Sequence, residues 1–332
     1  MANHCYINSI AQISCQSPLS DEWFNEPILL TEDYVRSQEA NAKGLISPSE
    51  ARRMSRILKR AVITALTALE ESGVHQLDAI ITGTGMGCME NSEKFLMDIC
   101  NYGENCLKPT LFMQSTHNTI SSLIAIILKC NGYNNTYSHK GISFESALLD
   151  AWIQIKGGLI EKALVGAHDE VTPFMRNVMR STHPEYSVVS ETSVYSVLSS
   201  SKSETNISEL SEVKLFHNPE LKHISQVLAL DDNGILMLGV NGNPLNDKPY
   251  TDLLSLLPDQ PFKVQYKNIF GDNFSVSALS FYAAAKILEN QRIPDFMSWN
   301  NQQVCEGKIS EVTILNQCDN STWALMKLKR VL

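Results

Sequence analysis

Residues 5–14, CYINSIAQIS, are dense in apolar and β-branched positions and predict an opening strand, followed by an irregular acidic and aromatic stretch to about residue 45. The pattern then changes period. Ser47-Pro48-Ser49-Glu50 supplies the N-cap, the N1 proline and the N3 glutamate of a capping box, and Met54, Ile57, Leu58, Ala61, Leu66 and Leu69 recur at helical spacing. These positions predict one helix running to about Ser72. DAIITGTG (78–85) predicts a strand entering a glycine loop, MENSEKFLMDIC a helix, HNTISSLIAIILK (117–129) an apolar helix, and NNTYSH a short strand. ALVGAHDE (163–170) and SVYSVLSS (193–200) predict further strands, so the alternation implies an α/β sheet covered by helices on both faces.

The polar stretch SSSKSETNISELSE predicts a surface loop, which divides the chain into halves of residues 1–200 and 201–332. Beyond it come a strand, GILMLGV (234–240), and KNIFGDNFSVSALSFYAAAKIL (267–288), read as a short strand, a glycine turn and a helix. YSHKGISFESALLDAWIQI (137–155) has the same order in the first half, with Lys140-Gly141 where the second half has Gly271-Asp272. Two equivalent elbows imply an internal duplication.

Charge and cysteine content narrow the function. The 332 residues carry 27 basic and 36 acidic side chains, a formal charge of −9, which disfavours nucleic acid and anionic membranes as partners. The eight cysteines form no CxxC pair and no zinc-type spacing with histidine, and they read as buried thiols of a reducing cytosol, with no metal or cofactor called for. The first twenty residues lack a signal-peptide order, and the longest apolar run falls well short of the ~20 residues of a membrane helix, so a cytoplasmic location is expected.

Candidate chemistry gathers at the elbows. A strand-to-helix elbow is where a Ser or Cys nucleophile meets helix N-terminal amides, yet this one offers Gly141. The loop glycines Gly83, Gly85 and Gly87 miss the dinucleotide fingerprint, because the third falls one residue early; tight turning explains them better. His117 reads more simply as a hydrogen-bonded structural residue than as a base. Ser138 and His139 are neighbours on the predicted strand and point to opposite faces, which argues against a triad with Glu145. Arg52, Arg53, Lys59 and Arg60 form a basic stretch on the predicted first helix, most simply a solvated face.

Four segments carry a specific resemblance: RRMS followed by DAIITGTGMGCMENSEKF, then PTLFMQSTHNTISS, GVNGNPLND and KNIFGDNFSVSA. In this order they resemble the β-ketoacyl-acyl-carrier-protein synthases of the thiolase fold. The resemblance implies a five-layer α-β-α-β-α fold of two pseudo-equivalent halves and an obligate dimer. Family members condense acyl chains with a cysteine thiolate at a helix N-terminus and two histidines that stabilise an enolate. Carried over, the nucleophile position is Gly141, the two histidine positions are Gly239 and Asp272, and the motif lysine is retained as Lys267. The acidic residue beyond the second histidine becomes Phe281, and the glycine-phenylalanine gate becomes NQCDNST (316–322).

The resemblance thus implies a subunit without condensing chemistry, similar to the chain length factors of type II fatty acid, polyketide or aryl polyene pathways. Its expected partners are an active ketosynthase and an acyl carrier protein. Phe112, Met113, Thr116 and His117 are expected at the dimer interface, against the partner's acyl tunnel. Two alternatives stand beside it: an active acyltransferase using Ser138, Ser143 or Cys88, and a homodimer that binds carrier protein or acyl-CoA without chemistry.

Overall fold

The computed structural model describes residues 3–203, 206–228, 230–231, 233–257, 261–299 and 308–331, with the backbone alone for Asn105 and Cys106. The first half runs through strands β1 (Tyr6–Ile13) and β2 (Tyr34–Val35), helices α1 (Pro48–Ala51) and α2 (Arg56–Ser72), then β3 (Ala79–Gly83). Helices α3 (Met89–Tyr102), α4 (Pro109–Met113) and α5 (Thr119–Leu128) precede β4 (Tyr133–Tyr137), α6 (Ser143–Lys156), β5 (Lys162–Asp169), α7 (Pro173–Thr182), β6 (Val189–Ser190) and β7 (Thr192–Ser199). The second half holds β8 (Ser208–His217), α8 (Leu221–Val227), β9 (Gly234–Leu238), α9 (Pro244–Leu254), β10 (Phe262–Gln265), α10 (Lys267–Phe270), α11 (Ser277–Asn290), β11 (Glu311–Cys318) and β12 (Thr322–Arg330).

Ten strands join in the order β10-β9-β11-β12-β8-β1-β7-β5-β3-β4. Each half has the same arrangement: a central strand parallel to two neighbours (β3 with β4 and β5; β9 with β10 and β11), followed by two antiparallel additions. Between the strands of the two halves, the pairing among the described residues is short, Tyr6↔Glu209 and Ile7↔Ser208.

Side-chain alternation shows why both faces are covered. On β3, Ala79 and Ile81 face a core that Ile235 and Met237 of β9 also enter, while Ile80 and Leu236 face away into separate clusters. A strand displays alternate residues on opposite faces, so two sheets with both faces apolar require helices between them and outside each. Helices α6 and α11 fill the middle layer, with Phe144 and Phe281 packed at 5.5 Å and fully buried. Burying two phenyl rings contributes about 1.5–3 kcal/mol each. Helices α2 and α5 cover one outer face, α8 and α9 the other, which makes the thiolase-like α-β-α-β-α fold.

Several expectations need correction. The helix from Ser47 is broken: the capping box forms and starts α1, but the chain turns over residues 52–55 and α2 restarts behind Ser55, ending at the left-handed Gly73. KNIF is the helical turn α10, and the strand of that elbow lies earlier, at Phe262–Gln265. Much of the polar stretch expected as a surface loop is β8, paired with β12. No helix of the described residues is long and apolar enough to cross a membrane.

Candidate functional site

β4 ends at Tyr137, a 3-10 turn spans Lys140–Ile142, and α6 starts at Ser143. Ser138 and His139 therefore lie in the elbow loop, not on a strand as the pattern predicts. Ser143 Oγ holds the turn, donating to the Lys140 carbonyl (2.7 Å) and accepting from the His139 N–H (2.8 Å). It is fully buried and committed. The Gly141 carbonyl accepts from Asn316 Nδ2 at 3.1 Å.

A Cβ added to Gly141 would stand 3.1 Å from Sγ of Cys318. The elbow therefore does face a thiol, supplied by the end of β11 and not by the turn. Burial pushes that thiol up to about 11, the Asp319 carboxylate adds to the shift, and the Gly141 N–H opposes it. At neutral pH it is protonated and a poor nucleophile.

Gly239 has no room for a ring. A Cβ there would come within 2.5 Å of the Tyr250 hydroxyl, 3.0 Å of the Tyr266 hydroxyl and 3.1 Å of Asn316 Oδ1. Asp272 is buried and ion-paired with the buried Lys267 at 2.9 Å. Its Oδ2 accepts from the Ser187 N–H (3.1 Å) and from Asn241 Nδ2 (2.9 Å). Lys267 also donates to Asn246 Oδ1 at 3.4 Å, and Asn246 Nδ2 donates to the Gly239 carbonyl at 2.8 Å. Asn316 bridges the other side, from Gly141 to Glu145 Oε1 (2.7 Å) and to the Tyr266 hydroxyl (3.3 Å). Two hydrogen-bonded networks, one joining Gly141 to Asn316 and Glu145 and the other Gly239 to Asn246, Lys267 and Asp272, thus stand beside a cleft of about 20 Å³. That is room for about one water. The cleft is lined by Gly141, Lys267, Asn246, Asn316, Cys318 and Tyr186, among other residues.

The glycine loop is spent on packing. Gly83 lets the Ser143–Phe144 backbone approach, where a Cβ would meet it at 2.5 Å, and Gly85 does the same for Phe274 at 2.3 Å. The amides that could cradle a phosphate instead hold the Asp169 carboxylate, which accepts from Gly85 N (3.0 Å), Met86 N (2.9 Å) and Thr84 Oγ1 (2.9 Å).

The remaining candidates lie apart from the cleft. Cys88 is fully buried, and burial pushes its thiol up to about 12. Phe112 and Met113 on α4, with Thr116 and His117 behind them, are exposed on the surface. Arg60 is no surface charge: it is buried and ion-paired with Glu191, while Arg52 and Arg53 are exposed at the break before α2. The thiols are not uniformly buried either. Cys5, Cys15 and Cys88 are, whereas Cys130 and Cys318 are partly exposed and Cys100 is exposed; the side chain of Cys106 and all of Cys305 lie outside the described residues.

The family profile described as beta-ketoacyl synthase, N-terminal domain, matches residues 22–233. The chain belongs to the β-ketoacyl synthase family. No curated protein matches it. Among solved structures the synthase fold recurs in the ishigamide ketosynthase/chain length factor, at 17% identity and TM-score 0.79 over 100% of both chains. It recurs in the ketosynthase ApeO in complex with its chain length factor ApeC from Xenorhabdus doucetiae, at 13% identity and TM-score 0.78, covering 99% of this chain and 98% of that one. A third similar structure is the AntDE:AntF complex of a type II acyl-carrier protein with its ketosynthase bound to a hexaketide, at 10% identity and TM-score 0.79 over 100% of both chains.

Cys318, Asn316, Tyr250 and Tyr266 are residues that motif spacing did not single out. The segment NQCDNST (316–322) contributes Asn316 and Cys318 directly to the cleft.

Proposed function

We propose that this chain is a non-condensing β-ketoacyl synthase subunit that pairs with an active ketosynthase, in the manner of a chain length factor. The pathway class is type II fatty acid, polyketide or aryl polyene synthesis, with acyl carrier protein as the further partner and the cytoplasm as the location. In this reading Gly141, Gly239 and Asp272 stand at the family's nucleophile and histidine positions, in halves 1–200 and 201–332. The observation that carries it is the lining of the elbow cleft: among the described residues there, none is a histidine, and Lys267 and Asp272 neutralise one another. Condensation needs donors aimed at an enolate oxygen. A lysine-paired carboxylate and two tyrosines without space between them leave no place for that oxygen.

The pairing half of the proposal rests on the surface. β4 is one of the two edge strands of the sheet, and Leu96, Met97, Tyr102, Phe112, Met113, Ile126 and Tyr133, on β4 and helices α3 to α5, are exposed apolar residues. An open strand edge beside such a surface calls for a partner. The exposed Arg52 and Arg53 supply a local basic site for an acidic carrier protein.

One observation favours a second reading, an acyltransferase with an atypical nucleophile: the Cys318 thiol against the elbow amide. Its high pKa weighs against it, and no histidine is among the described residues that line the cleft. Ser143 and Cys88 are removed from contention by burial.

Co-expression with a catalytically complete synthase from the same genome tests the proposal. The two chains are expected to elute as a 1:1 complex, and Phe112→Ala or Met113→Ala in this chain is expected to lengthen the product by about one or two two-carbon units, because truncation removes tens of Å³ of blocking volume. Separate elution, or well-folded mutant complexes with an unchanged product, would contradict it.

A further inference from the structure

We propose that His183, Glu185 and Asp319 form a binding site for a first-row divalent metal ion of the zinc class, placed over the mouth of the elbow cleft and joining the two halves of the molecule. The ligand atoms of these three residues lie within 4.8 Å of one another. Around a zinc ion with bonds of about 2.1 Å, ligand atoms sit about 3.4 Å apart, so a carboxylate swing of roughly 1 Å closes the set. His183 Nδ1 is already 2.9 Å from Glu185 Oε1. The imidazole is held in place by stacking on Tyr186 (5.0 Å) and by an edge contact with Phe274 (5.1 Å), so little side-chain freedom is left to lose on binding.

The third ligand already holds a cation. Asp319 pairs with the Lys140 ammonium at 2.7 Å, an exposed contact that an incoming ion would replace. Glu185 and Asp319 line the cleft together with Cys318. An imidazole with two carboxylates suits zinc, and an imidazole donor disfavours magnesium and calcium. His183 and Glu185 come from the segment after α7 and Asp319 from the turn between β11 and β12, so local ligand spacing gives no hint of the site. Bound metal would tie the gate segment down over Gly141 and Cys318.

The test is calorimetric titration of Zn²⁺ into tag-free, chelator-stripped, reduced protein, with Mg²⁺ in parallel and bound metal counted by mass spectrometry. One zinc per chain is expected, with no magnesium uptake. His183→Ala and Asp319→Asn should each weaken binding by about 100-fold or more, since even outer-shell changes cost 10–100-fold. Lys140→Ala should tighten it about two- to fivefold by removing the competing ammonium. Unfolding curves in chelator establish that each variant is folded, and Glu185→Gln replaces any that is not. No uptake, zinc that His183→Ala and Asp319→Asn leave in place on the thiols, or a Lys140→Ala variant that binds no tighter, each overturns the site.

Discussion

Glu145 is fully buried on α6 and accepts from Asn316 Nδ2 at 2.7 Å and Ser277 Oγ at 2.9 Å. Burial lifts its pKa from 4.5 to about 7, against the opposing pull of those hydrogen bonds. A carboxyl whose folded pKa is raised contributes stability that is complete below its unfolded value and is lost as pH rises through the folded one. Glu145→Gln keeps the bond from Asn316, reverses the one with Ser277 so that the amide donates to its hydroxyl, and does not titrate. It should therefore be near neutral at pH 4.5 and stabilising by up to about 3 kcal/mol at pH 8, as read from denaturation midpoints at the two pH values. The Lys267–Asp272 pair behaves differently. Lys267→Met leaves a buried carboxylate without its counter-charge and should cost about 3–5 kcal/mol, most of which Asp272→Leu in the same chain should restore. Urea unfolding of the single and double variants measures both. At this scale Gly141, Lys267 and Asp272 were legible because they sit in local motifs. Tyr250 and Tyr266 were not: their hydroxyls converge on Gly239 from α9 and from the end of β10, a meeting set by packing and not by local spacing.

Elements were legible where burial imposes a period. The β-branched runs of β3, β5 and β9 and the apolar spacing of α2, α5 and α6 stand where the pattern puts them, within a few residues. β8 was not, because its outward positions are Ser and Glu and only Leu210 and Val213 are apolar and buried; its register comes from β12 across a long sequence gap. At the helix break over residues 52–55, Ser55 takes the N-cap position of α2 with extended backbone, but its hydroxyl caps no amide, and nothing local in the structure explains the break. The exposed face of α5 carries the element-scale prediction. Ile126 is 73% exposed, so Ile126→Asp costs the isolated chain little. If α5 and the β4 edge form the pairing surface, the same change should abolish or weaken at least tenfold the association with the active synthase, measured by analytical ultracentrifugation, while the melting temperature of the isolated chain is unchanged.

For the whole molecule, two five-stranded sheets of identical order back onto one shared core, and the two elbows meet in it through α6 and α11. The duplication was visible in the sequence from its repeated glycine and helix, because both copies bring small residues to a crowded helix start, although the strand of the second copy lies at Phe262–Gln265 and not at KNIF. Which half supplies which cleft residue was not visible, since that follows from the packing of α9, α10 and the β11–β12 turn. The central claim is that this synthase fold has been emptied of its chemistry and kept for its shape. The most direct test is intact-mass measurement on the 1:1 complex with an active synthase after incubation with acyl- and malonyl-carrier protein. The account predicts an acyl adduct on the partner alone and an unmodified mass for this chain. An acyl adduct on this chain, or condensation product from this chain by itself, would contradict it.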